Sequence, residues 1–265
     1  MLASSYIVPH SPILIPAIGK ANSLILDKTT AAYQKIAQQL LEERVETIIV
    51  ISPHLIMPET GYALNSAPEF KLSFENFGDF ATKSQIAGDM ALAHELKEAL
   101  KKDFPLQMTS AEQLDYGSAI PLYLLTSNLK DIKVISLSYS SGNRQAHFDF
   151  GQTLKDFIIS QPKKIAVLAS ADLSHRLKRS SPAGYSPKGA KFDNKVIEYL
   201  NQPESAAENI LRMDDKLVKD AGECGLKAIT VILGIFEGLE YEPQVLAYQG
   251  DLGVGYLTLA LNINE

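Results

Sequence analysis

Three of the five histidines stand at the same kind of place in the chain. His10 follows the run YIVP, His54 follows IIVISP, and His175 follows IAVLASADLS. Each apolar run ends in proline or small residues, and an imidazole appears where the chain leaves it. Ligands of open α/β sheets bind outside the carboxyl ends of the strands, and neutral imidazole is both a common metal ligand and an acid/base near neutral pH. One such histidine reads as a hydrogen-bonded structural residue; three at equivalent places point to a site. His94 and His147 fall in helical stretches beside polar neighbours and read as solvated surface residues. A carboxylate candidate comes late, where DAGECGLKAITVILGIF sets Glu223 between glycines at the start of an apolar helix. The helix dipole alone would favour an acid there. Gly222 and Gly225, however, permit close backbone approach, and a carboxylate carried inward is costly unless paired or bound to a cation. His10, His54 and Glu223 make a set of two imidazoles and one carboxylate. That set suits Fe(II) with open positions and can also hold Zn(II). The ligands are scattered along the chain, so no local spacing specifies them.

The elements that must position these residues are short apolar runs alternating with helical patterns. Strands are expected at Tyr6–Val8, Thr47–Ser52, Lys133–Ser138, Lys164–Ala169 and Val254–Leu261, rich in Ile and Val and apolar on both faces. Helices are expected at Asn22–Glu43, Lys83–Lys101, Gln145–Ile159, Lys191–Leu200 and Glu223–Phe236. In the second of these Ile86, Met90, Leu92 and Leu96 recur at helical spacing. The alternation predicts a three-layer α/β/α architecture around a mostly parallel or mixed sheet, in one domain spanning 1–265. Met57–Glu75 and the basic stretch Lys178–Lys191 read as loops over a face. The glycine-rich GDLGVG precedes a strand, which argues against a nucleotide loop.

Composition bounds the partners. The formal charge of −6 over 265 residues, without a basic stripe, argues against nucleic acid. The single cysteine, Cys224, excludes an internal disulfide and a Cys-only metal cage and fits a reducing compartment, so a cytoplasmic location is expected. MLASSYIVPHSPILIP lacks a basic region and is broken by prolines, unlike a signal peptide or anchor, and no apolar run reaches the length of a membrane span.

The ordered motifs VPHSPILIP (Val8–Pro16), ISPH (Ile51–His54), GDFATKSQIAGD, LDYGSAIPLYLL, ASADLSHRL, GYSPKGAKFD, AGECGLKAI and GDLGVGYL resemble the class III extradiol ring-cleavage dioxygenase superfamily over nearly the whole chain. The similarity is greatest to the Memo-like branch associated with AMMECR1-like and radical-SAM proteins. The resemblance implies that His10, His54 and Glu223 are metal ligands, that the metal is Fe(II), and that His175 handles protons beside it. Asp172, three residues earlier, is positioned to orient His175. It further implies an aromatic diol substrate and O₂, with AMMECR1-like or radical-SAM proteins and a second copy of the chain as candidate partners. One position departs from the pattern: the family commonly reads LDHG where this chain has LDYG, placing Tyr116 where a histidine is expected near substrate. A phenol donates a hydrogen bond but stays neutral at physiological pH, so activity on simple catechols is expected to be weak. The basic residues Arg176, Lys178, Arg179, Lys188 and Lys191 could draw an anionic substrate to the site, or simply be solvated. Two other functions fit the same residues: a Memo-type metal-binding or scaffold protein without ring cleavage, and a zinc-dependent hydrolase using metal-bound water.

Overall fold

The computed structural model describes residues 1–55 and 61–263. Its centre is four parallel strands, β1 (Leu2–Val8), β2 (Thr47–Ser52), β7 (Lys133–Ser138) and β8 (Ile165–Ser170), in the spatial order β7-β2-β8-β1. The hairpin β9 (Tyr241–Gln249) and β10 (Tyr256–Ile263) adds to β1 antiparallel. At the other side β7 shares its free edge between two partners. β5 (Asp79–Gly88) pairs with its start and β3 (Tyr62–Asn65) with its end. β4 (Glu69–Phe74) pairs antiparallel with β5, and β6 (Leu106–Thr109) pairs with β3. The result is one mixed ten-stranded sheet.

The central strands are apolar on both faces because each face has its own core. In β2, Ile49 and Ile51 enter one buried cluster while Ile48 and Val50 enter the other; in β8, Ile165, Val167 and Ala169 separate from Ala166 and Leu168 in the same way. The period of two thus feeds both layers, as a covered parallel sheet requires. The first layer holds α3 (Met90–Leu100), α5 (Arg144–Ser160), α6 (Pro187–Leu200), α7 (Ala206–Leu211), α8 (Asp215–Ala221) and α9 (Leu226–Phe236). The second holds α2 (Asp27–Glu42) and α4 (Tyr116–Thr126), with the short α1 (Pro16–Gly19) at its rim. This is the three-layer α/β/α fold expected from the sequence.

Several expectations are corrected. The predicted helix Lys83–Lys101 begins only at Met90, where Asp89 caps it by accepting from the Leu92 N–H at 3.2 Å. Residues up to Gly88 belong to β5, and Ile86 lies in the opposite core from Leu92 and Leu96, so the apparent periodicity joined two unrelated elements. The segment Met57–Glu75, read as a loop, contains β3 and β4, while its residues 57–60 lie outside the described part. His147 is not solvated: it is fully buried between the rings of Tyr62 and Tyr139, with Nδ1 2.6 Å from the Asn143 carbonyl one turn earlier. His94 is exposed. The basic stretch is a loop until Pro187 opens α6. GDLGVG joins β9 to β10, so it follows one strand as well as preceding another. Among the described residues no helix is long and apolar enough to cross a membrane.

Candidate metal centre

The three strand-end histidines converge at the carboxyl edge of the central strands. His10 lies two residues past β1, His54 two past β2, and His175 five past β8. The Nε2 atoms of His10 and His54 face each other at 3.1 Å. The Cys224 Sγ stands 3.5 Å from His10 Nε2, and the ligand atoms of His10, His54 and Cys224 all lie within 4.8 Å of one another.

A chain of hydrogen bonds sets the rings. Ser170, the last residue of β8, donates its hydroxyl to the Gly117 carbonyl at 2.5 Å. Its oxygen can therefore only accept from His10 Nδ1, 2.9 Å away. That bond places the proton on Nδ1 and leaves the Nε2 lone pair aimed at the centre, the tautomer a metal requires. His54 is set by Tyr116, whose hydroxyl lies 3.3 Å from Nδ1 and whose ring stacks on the imidazole at 4.1 Å. A phenol both donates and accepts, so it supports either tautomer of His54. Burial is the first cause that keeps both imidazoles neutral, lowering His10 to about 3 and His54 to about 4.

The backbone that allows this approach depends on two glycines. A Cβ on Gly117 would lie 2.5 Å from Ser52 Oγ and 3.0 Å from His54 Cδ2. A Cβ on Gly225 would lie 2.5 Å from Ala171 Cβ and 2.9 Å from the Asp172 carbonyl. Close packing at these points brings the α4 and α9 starts against the strand ends. Asp115 caps α4 through the Ser118 N–H at 3.0 Å and also accepts from Ser52 Oγ.

His175 is held from the other side. Its Nδ1 lies 2.7 Å from the Gly222 carbonyl, and its backbone N–H reaches the Ala221 carbonyl at 3.2 Å. The C-terminal end of α8 therefore fixes the ring with Nε2 free as a base. Asp172 makes a different bond: one oxygen accepts from the His10 backbone N–H at 2.9 Å. Its other oxygen lies 3.7 Å from His10 Nε2 and 3.9 Å from His175 Nε2, so its influence on the imidazoles is electrostatic. Burial pushes its carboxyl above the ordinary range. Behind this loop, buried Asp193 accepts from the Ser174 N–H at 2.9 Å and from the Tyr248 hydroxyl at 2.7 Å.

Glu223 is half-buried beside these residues, and its carboxylate accepts from the Leu226 N–H at 2.6 Å. The third atom close to both imidazoles is the neighbouring thiol. The sequence alone gives Cys224 no role as a ligand and singles out neither Ser170 nor Asp193; the adjacency of Glu223 and Cys224 inside GECG is the signal that points to the thiol. Of the basic loop, Arg176 and Lys178 bond the Asp220 and Asp251 carbonyls, while Arg179, Lys188 and Lys191 are exposed.

Two neutral imidazoles, that of His10 preset by Ser170, beside a sulfur donor fit a divalent transition metal. A family model described as the catalytic LigB subunit of aromatic ring-opening dioxygenase matches residues 4–258. The chain belongs to the LigB family. Protein CA_C1420 of Clostridium acetobutylicum is 29% identical over 266 residues, 97% of this chain; the chain spans 56% of that relative's length. The crystal structure of the uncharacterized protein JW3007 from Escherichia coli K12 superposes with a TM-score of 0.71, covering 98% of this chain and all of the other at 19% identity. At that identity the likeness is one of fold. The LigB match agrees with the superfamily read from the motifs.

Proposed function

We propose that this LigB-family chain is a metal-dependent, extradiol-type dioxygenase acting on a catechol-like or other aromatic diol with O₂. The observation that carries the reading is the pair of facing, neutral Nε2 atoms of His10 and His54. They would hold the metal together with a donor from the dipeptide Glu223–Cys224. Fe(II) with Glu223 as third ligand is the reading that suits oxygen chemistry. When bound, the metal polarises the diol oxygens and serves as the conduit for electrons to O₂.

The chain's own residues supply the rest. His175 Nε2, with its tautomer set by Gly222, accepts a proton from a diol hydroxyl and returns it to the leaving oxygen. Asp172 stabilises the imidazolium while that proton is held, from 3.9 Å. Tyr116 offers a neutral hydrogen bond, since burial raises its phenol to about 12. The buried floor formed by His10, Ser170 and Asp172 excludes water beneath the centre.

The Cys224 thiol favours a second reading. A soft donor beside two imidazoles suits Zn(II), and with it either a hydrolase using metal-bound water or a metal-binding protein of Memo type. Metal analysis of chelator-free protein and of the Glu223→Gln and Cys224→Ser variants separates the two. Loss of iron with Glu223→Gln, together with oxygen uptake on a catechol panel by anaerobically iron-loaded protein, is the expected result. Zinc retention lost only in Cys224→Ser, without oxygen uptake, would replace the dioxygenase reading by the second.

A further inference from the structure

The turn of the β4–β5 hairpin packs onto Tyr116, the residue that stacks on His54 of the metal centre. The turn, Glu75–Phe77, closes on Gly78 at φ 82°, a left-handed conformation suited to glycine. It sets the Phe77 ring against Tyr116, with centroids 5.4 Å apart and planes at 79°. Tyr116 in turn stacks on His54, and the His54 and His10 rings meet edge-on at 4.9 Å. Four rings in contact lead from Phe77, 36% exposed, to His10, 2% exposed.

Core packing does not account for Phe77. It belongs to neither buried cluster, and the turn that carries it buries no side chain. Exposed phenyl groups are common singly. This one differs in lying edge-to-face on the ring that covers a candidate metal ligand. An aromatic pair with open ring surface offers further edge or face contacts to a third ring, the geometry aromatic groups prefer.

We propose that Phe77 and Tyr116 form a ring-binding subsite at the mouth of the centre, against which the aromatic ring of a diol lies when its oxygens face His10 and His54. Phe77 is thus a specificity-determining residue: it selects ligands with a ring over ligands that offer only the chelating oxygens. The assignment rests on the aromatic-diol reading above, and it gives the motif GDFATKSQIAGD, whose first glycine, Gly78, closes the turn, a place in recognition.

The test compares two ligands on the cobalt(II)-loaded full chain, 4-nitrocatechol and the ringless chelator acetohydroxamate, each titrated by absorbance. Phe77→Ala should weaken 4-nitrocatechol roughly 3- to 10-fold, the range expected for one aromatic contact, and leave acetohydroxamate unchanged. Phe77→Leu, which keeps bulk without a ring, should fall between. Phe77→Trp introduces the chain's only tryptophan, and its fluorescence should be quenched with the same dissociation constant that absorbance reads. Equal affinity of wild type and Phe77→Ala for 4-nitrocatechol, or an equal loss for both ligands, would overturn the subsite. Wild type that binds acetohydroxamate but not 4-nitrocatechol would sink the diol reading itself, and the subsite with it.

Discussion

Ser170 is the residue on which the preset tautomer of His10 depends, and removing its hydroxyl separates a metal-presenting imidazole from a merely buried one. The side chain is fully buried and makes two bonds, accepting from His10 Nδ1–H and donating to the Gly117 carbonyl. Ser170→Ala leaves both partners unsatisfied where water is excluded. Each stranded group costs about 1–3 kcal/mol, so the metal-free protein should lose roughly 2–4 kcal/mol of stability once local relaxation is allowed for. Metal affinity should fall as well, because His10 is then free to take the other tautomer or rotate. Loss of an outer hydrogen-bond partner of a ligating histidine typically costs 10- to 100-fold in affinity, about 1.4–2.7 kcal/mol. Urea unfolding of the metal-free protein measures the first effect, and competition with a chromophoric chelator for cobalt(II) or zinc(II) measures the second. Because the two are read separately, a stability loss cannot masquerade as a binding loss. A folded Ser170→Ala protein that binds metal within about twofold of wild type would refute the tautomer argument.

Other outcomes follow from the same geometry. His175→Ala should keep its metal content and lose turnover, as checked by metal analysis and oxygen uptake; loss of metal would make His175 a ligand instead of a base. Wild type should cleave simple catechols such as protocatechuate poorly, and Tyr116→His should raise that activity without changing metal affinity, both read by oxygen uptake with iron-loaded protein. Asp193, raised by burial to about 6, contributes stability that is full below the unfolded carboxyl pKa and is lost as pH rises through the folded one. Asp193→Asn should therefore gain on wild type by roughly 2–3 kcal/mol between pH 4 and pH 7 in urea unfolding; a constant difference across that range would contradict the burial argument.

What the sequence revealed follows from what each strand buries. β2 and β7 begin and end at the residues expected from their apolar runs, because both faces of each enter a core and only Lys133, at the start of β7, is exposed. β4 alternates exposed with buried positions and β5 is largely exposed, so neither stands out as an apolar run. α4 was missed for the opposite reason. It is buried nearly all round and carries Pro121 inside, so it lacks both an amphipathic stripe and a clean helical composition. The burial of His147 is hidden because polar neighbours on α5 say nothing of Tyr62, from β3, and Tyr139, just past the end of β7, which enclose it.

Tyr116 and Asp172 join the histidines where the sequence pointed, whereas the third donor depends on the geometry of GECG. Consecutive residues ahead of a helix point different ways, and which one faces a site depends on where the backbone is pinned. Here Gly225 is pressed onto Ala171 and the Asp172 carbonyl, and the Tyr139 hydroxyl holds the Cys224 carbonyl at 2.8 Å. With the backbone held at both points, the Cys224 side chain comes to His10 while the Glu223 carboxylate caps the first turn of α9. A carboxylate has a second oxygen and a flexible stem, so capping and ligation are two uses of one side chain, separated by the cost of one charge-assisted hydrogen bond, about 1.5–3 kcal/mol. A cation at His10 and His54 offsets that cost for a hard donor, or deprotonates the thiol whose burial now keeps it neutral. The choice of third donor is therefore a property of the metal as much as of the chain.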